Sequence, residues 1–306
     1  MSFQITDAFV QQFSGNVRLL AQQMTSRFRG RLIEDNVRGE AAYMDQLGPT
    51  SAIKLTARHM DTPMANTPSA RRRLAPYAYV WADLVDRQDQ VELLIDPASG
   101  YARNAAMAMQ RAYDDEAISA FFANAYTGHT GTTTVVWPNG NNEGGNSFAA
   151  GYQVAVDSWM FGAGAGNAGL TTSKFIEAAY AILAGEGDEN EEKYAALRAK
   201  DIMSMMATTE VTSSEYADLK ALQEGKIDRF MGFQIVHTER LFTNGSGYYR
   251  LPFWRKSGMG IGVAREMDGR ISERNDKNHA TQVYCDEVLG ASRLEEVKIV
   301  EVIVLP

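Results

Sequence analysis

The chain has 306 residues, 45% of them hydrophobic and 22% charged, with a formal net charge of −8; that length can hold a large core and approaches the size at which one core divides into two. No apolar run reaches the roughly 18 residues of a membrane-spanning helix, and the acidic balance excludes a general nucleic-acid-coating role, which needs clustered Lys and Arg. The single cysteine, Cys285, excludes an intrachain disulfide and a thiolate zinc cluster built from one chain.

The opening residues, "MSFQITDAFVQQF", lack a basic region followed by an apolar core, so neither a secretory signal nor a transit peptide is expected, and the protein is placed in a cytoplasm. Residues 1–48 read as an arm. Within it Val17, Leu20, Met24 and Phe28 recur at spacings of three and four and predict one short amphipathic helix, which Gly30 and Gly39 then break. A lone helix this short needs a partner elsewhere in the fold or on another chain. Arg27, Arg29 and Arg31 at its end suit solvent or an interface equally.

Ile53, Leu55 and Ala57 alternate with polar neighbours, as do Tyr77, Tyr79 and Trp81 with theirs, and the two runs predict an antiparallel hairpin. The intervening "RHMDTPMANTPSARRRLAP" holds Pro63, Pro68 and Pro76 and makes the tip long enough to suggest a functional loop. Nothing local buries such a hairpin, so it is expected to project onto a neighbouring molecule. Lys54 and Arg58 lie on it, and Arg71, Arg72 and Arg73 at its base suit carboxylates of another subunit or plain solvation.

"DPASGYARNAAMAMQRAYDDEAISAFFANAYTG" predicts the strongest helix: Asp96 caps it, Pro97 takes the first helical position, and Ala102, Ala106, Met109, Tyr113, Ala117 and Ala120 form one stripe before Gly128. Some thirty residues span roughly 45 Å, a length suited to a spine. Consecutive Asp114, Asp115 and Glu116 point to different sides, so they read as solvated charge. Residues 129 to 170 read mainly as loops and short strands. Phe175, Ile176, Ala179, Tyr180 and Leu183 then predict a helix stopped by Gly185; a strand is expected over Tyr194 to Leu197, and Asp201 is read as the cap of a helix through "IMSMM". Thr212 and Glu215 have capping-box spacing, Gly225 closes the following helix, and Gly232 allows a bend before Phe233 and Ile235 alternate as a strand. "EEVKIVEVIVLP" is a terminal strand by its β-branched density.

Chemical motifs are sparse. Gly164, Gly166 and Gly169 have dinucleotide-fingerprint spacing with Glu186 downstream, but Leu170 to Thr172 separate the third glycine from the helix it should open. A flexible loop is the better reading, and a nucleotide-dependent soluble enzyme is the weaker alternative. "GMGIGVAR" at 258 to 265 lies in an extended segment. His59, His129, His237 and His279 form no metal-binding pair at helical spacing, and His59 with Asp61 suits hydrogen bonding at an interface. No nucleophile elbow or P-loop occurs, and Asn244-Gly-Ser as a glycosylation acceptor lacks meaning without secretion. No catalytic residue, cofactor or metal is expected.

The order of these parts resembles the major capsid proteins of tailed bacteriophages, whose fold is shared with herpesvirus shells and encapsulins. The likeness covers nearly the whole sequence and is carried by "RHMDTPMANTPSARRR", by the long helical segment running from Asp96 to Gly128, and by "VTSSEYADLKALQEGKIDRFMGFQIVHTERL". It implies an α+β phage major-capsid fold with an N-terminal arm at 1–48, an extended hairpin loop at 49–80 and a peripheral domain at 81–169 with its spine helix at 96–126. An axial domain at 170–284 and a return strand to the peripheral domain at 285–306 complete it. The resemblance further implies self-assembly into pentamers and hexamers of an icosahedral shell, which encloses double-stranded DNA without sequence-specific binding and expands on maturation. Partners would be a separate scaffolding protein, a portal and a decoration or cement protein; no membrane is involved, and the virion would assemble in the bacterial host cytoplasm.

Candidate intersubunit contacts are Arg27, Arg29, Arg31, Lys54, Arg58, Arg71, Arg72 and Arg73. An encapsulin-like nanocompartment is the alternative use of the same fold. Arg198, Ala199 and Lys200 stand where relatives often have a proline-containing turn, and Lys54 alone does not support the Lys–Asn cross-link that some members make. No fused scaffolding domain is expected, and deleting residues 1–40 is expected to abolish shells while leaving a folded subunit.

Overall fold

The computed structural model describes residues 22–56, 61–62, 64–85, 98–137, 152–159, 162–163, 168–185, 187–206 and 228–306. Its first strands are β1 (Ile33–Asn36), β2 (Ala42–Leu47), β3 (Ser69–Leu74) and β4 (Tyr77–Val85), followed by the helix α1 (Ala98–Phe122). Next come β5 (Ala125–Thr127), β6 (Thr133–Val135), β7 (Gln153–Val154), β8 (Ser158–Trp159), β9 (Gly162–Ala163) and α2 (Thr172–Ala184). After β10 (Lys193–Leu197) and α3 (Ala199–Met206) lie β11 (Arg229–Phe230), β12 (Phe233–His237), β13 (Tyr249–Arg255), β14 (Met259–Arg274), β15 (Ala280–Arg293) and β16 (Ile299–Val304). One compact unit draws on Met1–Ser26, Tyr77–Tyr113 and Ala264–Leu289, the other on Arg27–Pro76, Asp114–Val263 and Gly290–Pro306.

In the first unit β4 pairs antiparallel with β15, from Tyr77 opposite Leu289 to Val85 opposite Thr281. Period two sends Tyr79 and Trp81 onto Ala105, Met109 and Cys285, while Val80 and Leu84 stay exposed. Ala105 is the small residue that lets the rings approach α1; the expected Ala102 and Ala106 are only half-buried, so the buried face here is turned from the predicted stripe. Where β14 returns as β15, Asn278 and His279 both have positive φ, 49° and 58°, and Ala280 N–H donates to Lys277 O at 2.9 Å, as a two-residue left-handed hairpin turn demands.

The helix expected through Phe28 does not reach it. Residues 22–28 are irregular: Gln22 Nε2 donates to Asn104 Oδ1 at 3.2 Å, and Arg111 donates to Gln22 Oε1 at 2.7 Å. In the second unit the N–H groups of Arg27 and Phe28 donate to the Asp114 carboxylate, at 2.8 and 3.3 Å. Those donors are therefore not available to a helical ladder. Phe28 is fully buried, stacked on Trp254 at 5.6 Å. Val17 and Leu20 lie outside the described residues.

The expected pairing of residues 53–57 with 77–81 is corrected. The second unit instead pairs β2 with β3, Ala42 opposite Leu74 to Leu47 opposite Ser69, and Gly48 N–H donates to Pro68 O at 2.8 Å to close the neck of the intervening loop. Residues 53–56 are exposed and in no strand, and Ala57 lies outside the described residues. Alternation in sequence specifies two faces but no partner, and "SARRRL" becomes a strand because its middle arginine has a buried carboxylate to meet. The sheet continues as β2-β3-β5-β6.

A six-stranded sheet of order β11-β12-β10-β13-β16-β7 forms the other main layer of this unit. β12 and β10 are parallel, as are β16 and β7, whereas β13 runs antiparallel to both of its neighbours. The last strand therefore lies between β13, from the stretch expected to be axial, and β7, from the stretch expected to be peripheral. "IVEVIV" is buried at five of six positions, and only an interior place covered on both faces accommodates that. At the other end β11 and β12 are linked by Met231 and Gly232 with φ of 48° and 82°, so the expected bend is a tight hairpin turn.

Thr171 caps α2 and Gly185 ends it. Its Phe175 packs edge-on against Phe230, Phe233 and Phe253, with ring centroids 4.9, 5.5 and 4.9 Å away. Asp201 is in the first turn of α3 and reaches back to Arg198 N–H at 3.3 Å, one half of a capping box, so its role is refined from the cap residue itself. The turn at Arg198 to Lys200 is held without proline, because Glu239 also accepts Ala199 N–H at 2.6 Å. Asp96, Pro97, Gly164, Gly166 and Glu186 lie outside the described residues, as do Thr212, Glu215 and Gly225.

Gly290 is sterically required. A Cβ at Gly290 would overlap Ala75 O and lie 2.8 Å from Ala75 C and 2.9 Å from Pro76 Cα, all backbone atoms. Gly290→Ala is expected to lower stability by about 1–3 kcal/mol, read as a lower urea midpoint with an unchanged slope; an unchanged midpoint would show that this backbone yields freely.

Candidate assembly site

The arginines and lysine singled out in the sequence do not converge on one place. Arg27 and Arg29 are exposed, and so is Lys54. Arg31 is half-buried, with its guanidinium 6.0 Å from the Tyr194 ring, and its carbonyl accepts from Trp254 Nε1 at 3.1 Å. Arg71 pairs with Asp45 across β2 and β3 at 2.9 Å and lies over Tyr43 at 5.2 Å. Arg73 flanks Gly131, where an added Cβ would crowd its side chain. Arg58 and His59 lie outside the described residues.

Arg72 is committed to the interior of the second unit, so it is not a surface contact. Its Nε donates to Leu294 O at 3.0 Å and its Nη2 to Glu296 Oε2 at 2.6 Å. Gln46 Nε2 reaches the same Leu294 carbonyl at 2.9 Å, and Thr127 Oγ1 donates to Arg71 O at 2.9 Å. The β2–β3 pair is thereby anchored at its base. Leu47 at the end of β2 is 79% accessible, and beyond the neck the segment exposes Ile53, Leu55 and Met64, the last 86% accessible.

Several buried charges were not foreseen. Fully buried Arg293 donates to Phe121 O and Val135 O, each at 3.1 Å, and to Ala123 O, so it satisfies carbonyls at the C-terminus of α1. Its guanidinium also lies 3.7 Å from Glu296 and 5.2 Å from the Trp137 ring centroid. Burial draws the Arg293 guanidinium down to about 10, opposed by Glu296 and reinforced by Arg72 and Arg250. Burial likewise pushes Glu296 up, against the pull of Arg72 and Arg293. Arg255 performs the same service for α2, donating to Ile182 O at 3.1 Å.

Fully buried Lys174 gives all three of its protons to carbonyls: Val156 O at 2.7 Å, Ala168 O at 2.8 Å and Ile303 O at 3.1 Å. It joins the loop before α2 to the last strand. Asp114, Asp115 and Glu116 are not the solvated group expected. Asp114 is buried on the amides of Arg27 and Phe28, Asp115 takes Arg240 Nε at 2.6 Å, and Glu116 accepts Ala291 N–H at 3.4 Å. Only the three-residue spacings Arg198–Asp201 and Arg293–Glu296 offered a signal in sequence. Among the described residues no group of three His, Cys, Asp or Glu residues could hold a metal ion.

A family model described as phage capsid protein matches residues 5–305. The capsid of cyanophage P-SCSP1u superposes with a TM-score of 0.72 at 14% identity, over 98% of this chain and 94% of that one. The capsid of Ralstonia phage GP4 gives 0.71 at 11% identity, covering 96% and 94%, and a structure titled Mycobacterium phage Che8 gives 0.68 at 13%, covering 96% and 97%. No curated protein matches the sequence. The solved structures share its fold, and because the family model spans almost the full length, this chain belongs to the phage capsid protein family.

Proposed function

We propose that the protein is the major capsid protein of a tailed phage, assembling with its own copies into pentamers and hexamers that close an icosahedral head around double-stranded DNA. The family match over residues 5–305 carries this reading. The exposed Leu47, Ile53, Leu55 and Met64 support it, because repeated burial of such side chains between copies stabilises a shell at about 25 cal/mol per Å² of apolar area. Its role is structural, with no catalytic step. Arg27, Arg29, Lys54 and Arg71 are the contact candidates whose charge reaches the surface, and Arg31, Arg58 and Arg73 complete the proposed set.

The division into arm, extended loop, peripheral and axial domains belongs to the same proposal, as do a separate scaffolding protein, a portal, a decoration protein and assembly in the bacterial cytoplasm. A net charge of −8 suits a shell that leaves packaged DNA mobile.

Electron microscopy of the purified protein, alone and with its scaffold, is expected to show capsomers or closed shells; a uniform small oligomer under every condition would overturn the reading. Deleting residues 1–40 is not a clean test of the arm, since it removes the buried Phe28, Leu32 and Val37. Deleting residues 1–21 is expected to abolish shells while the subunit still unfolds cooperatively, and shells of normal yield would refute a role for the arm.

A further inference from the structure

The segment from Thr243 to Tyr249 is a tight loop closed by a β-bridge between its ends. Asn244 organises it. Its N–H donates to Tyr248 O at 2.7 Å, and its carbonyl accepts Gly247 N–H at 3.0 Å. Its side-chain Oδ1 accepts two backbone donors at once, Ser246 N–H at 3.0 Å and Tyr248 N–H at 2.9 Å. The next residue, Gly245, is exposed, nothing lies within 4 Å of where its Cβ would be, and no described hydrogen bond uses its N–H.

These are the parts of an intramolecular acyl transfer. The backbone nitrogen of Gly245 is the nucleophile, Asn244 Cγ is the electrophile, and the missing Cβ leaves ring closure unhindered. As the nitrogen adds to Cγ, negative charge develops on Oδ1, where two N–H donors already point; donors placed in advance stabilise such a charge more than water does. The same two bonds restrict rotation of the side chain and lower the entropic cost of closure.

We infer that Asn244 is a site of spontaneous covalent modification, converting through a cyclic imide to aspartate or isoaspartate. The Gly245 nitrogen passes its proton to solvent and forms the new bond to Cγ; the bond between Cγ and Nδ2 breaks, and Nδ2 leaves as ammonia with a proton from water. Water then adds to one of the two imide carbonyls. Attack at Cγ restores a normal backbone with aspartate, and attack at the backbone carbonyl gives isoaspartate; nothing is oxidised or reduced. Aspartate keeps an acceptor for Ser246 and Tyr248, whereas isoaspartate adds a methylene to the backbone and disrupts the loop. Either product adds one negative charge to an exposed turn.

The test is peptide mass mapping of the full-length protein, held in mildly alkaline buffer either native or unfolded in urea, with chromatographic separation of the two products. Asn139-Gly140, the other Asn-Gly pair in the sequence, reports in the same digests how urea alone affects this chemistry. Asn244 is expected to convert several-fold faster in the native protein than in urea, after correction by Asn139. A native rate equal to or below the unfolded one overturns the inference. Gly245→Ala, which has open space to fold, is expected to slow conversion about tenfold. If it converts as fast as the wild type, the cyclic imide is not the route.

Discussion

Arg293→Met is expected to lower the unfolding free energy of the subunit by about 3–5 kcal/mol, the range for removing one member of a buried ionic network. Methionine fills much of the volume but donates nothing, so Phe121 O, Ala123 O and Val135 O each lose a charged donor. Glu296 would then keep Arg72 as its ion-pair partner among the described residues. The end of α1 should loosen first, because the lost donors are those of its last carbonyls. Hydrogen exchange of residues 118–123 and the urea midpoint measure the two effects. A midpoint within experimental error of the wild type would show that the guanidinium is not a structural donor.

Lys174→Met is expected to cost about 2–4 kcal/mol at neutral pH, since three charge-assisted hydrogen bonds go together. The pH dependence separates this lysine from an ordinary one. Its amine titrates at about 8 in the fold instead of 10.5, because burial disfavours the charged form more than Asp157, Glu177 and Asp201 favour it. The unfolded protein therefore holds the proton more tightly, and wild-type stability should rise as pH climbs from about 8 to 10.5, by about 3 kcal/mol in total from this group. Tyr194, pushed up from 10.0 to about 12, and Cys285, pushed up by burial from 9.0, act in the opposite direction towards the upper end of that window, but they do so in the wild type and in Lys174→Met alike. Lys174→Met lacks the rise, so urea midpoints of the two proteins should diverge with pH. Parallel curves would show that the lysine is not desolvated.

Local signals placed the local elements. The stripe from Met109 to Ala120, the run from Phe175 to Leu183 and the terminal "IVEVIV" each carry their period within a few residues, and each became the element expected. Pairing was less legible. Tyr77 to Trp81 announced a strand, but its partner is the stretch from Cys285 to Leu289, far along the sequence, and alternation alone cannot identify it. The arginine run at 71–73 was misleading because burial of the middle residue depends on Glu296, which sequence proximity does not suggest.

The same limit explains the missed charges. A single Lys or Arg in sequence reads as solvated, and Lys174 and Arg293 are buried only because the tertiary fold brings otherwise poorly satisfied carbonyls to them. Asp114 was misread for a related reason: the backbone amides of Arg27 and Phe28 are among its partners, and amides leave no residue signature. The candidate surface was legible in outline, through the length and proline content of the loop, while the identity of its exposed side chains depended on knowing where the ladder ends.

The neck formed by Gly48 N–H and Pro68 O has a further consequence. Because the ladder of β2 and β3 and the anchor at Arg72 are complete below it, the segment beyond the neck contributes little to subunit stability. Lengthening a closed loop costs only about 0.6 kcal/mol per doubling. The segment is therefore expected to behave as an exchangeable cassette: a diverged sequence or an inserted foreign peptide there should leave the fold of the subunit in place. Under the proposed role, variation there would change how subunits meet without requiring a new solution to how one subunit folds.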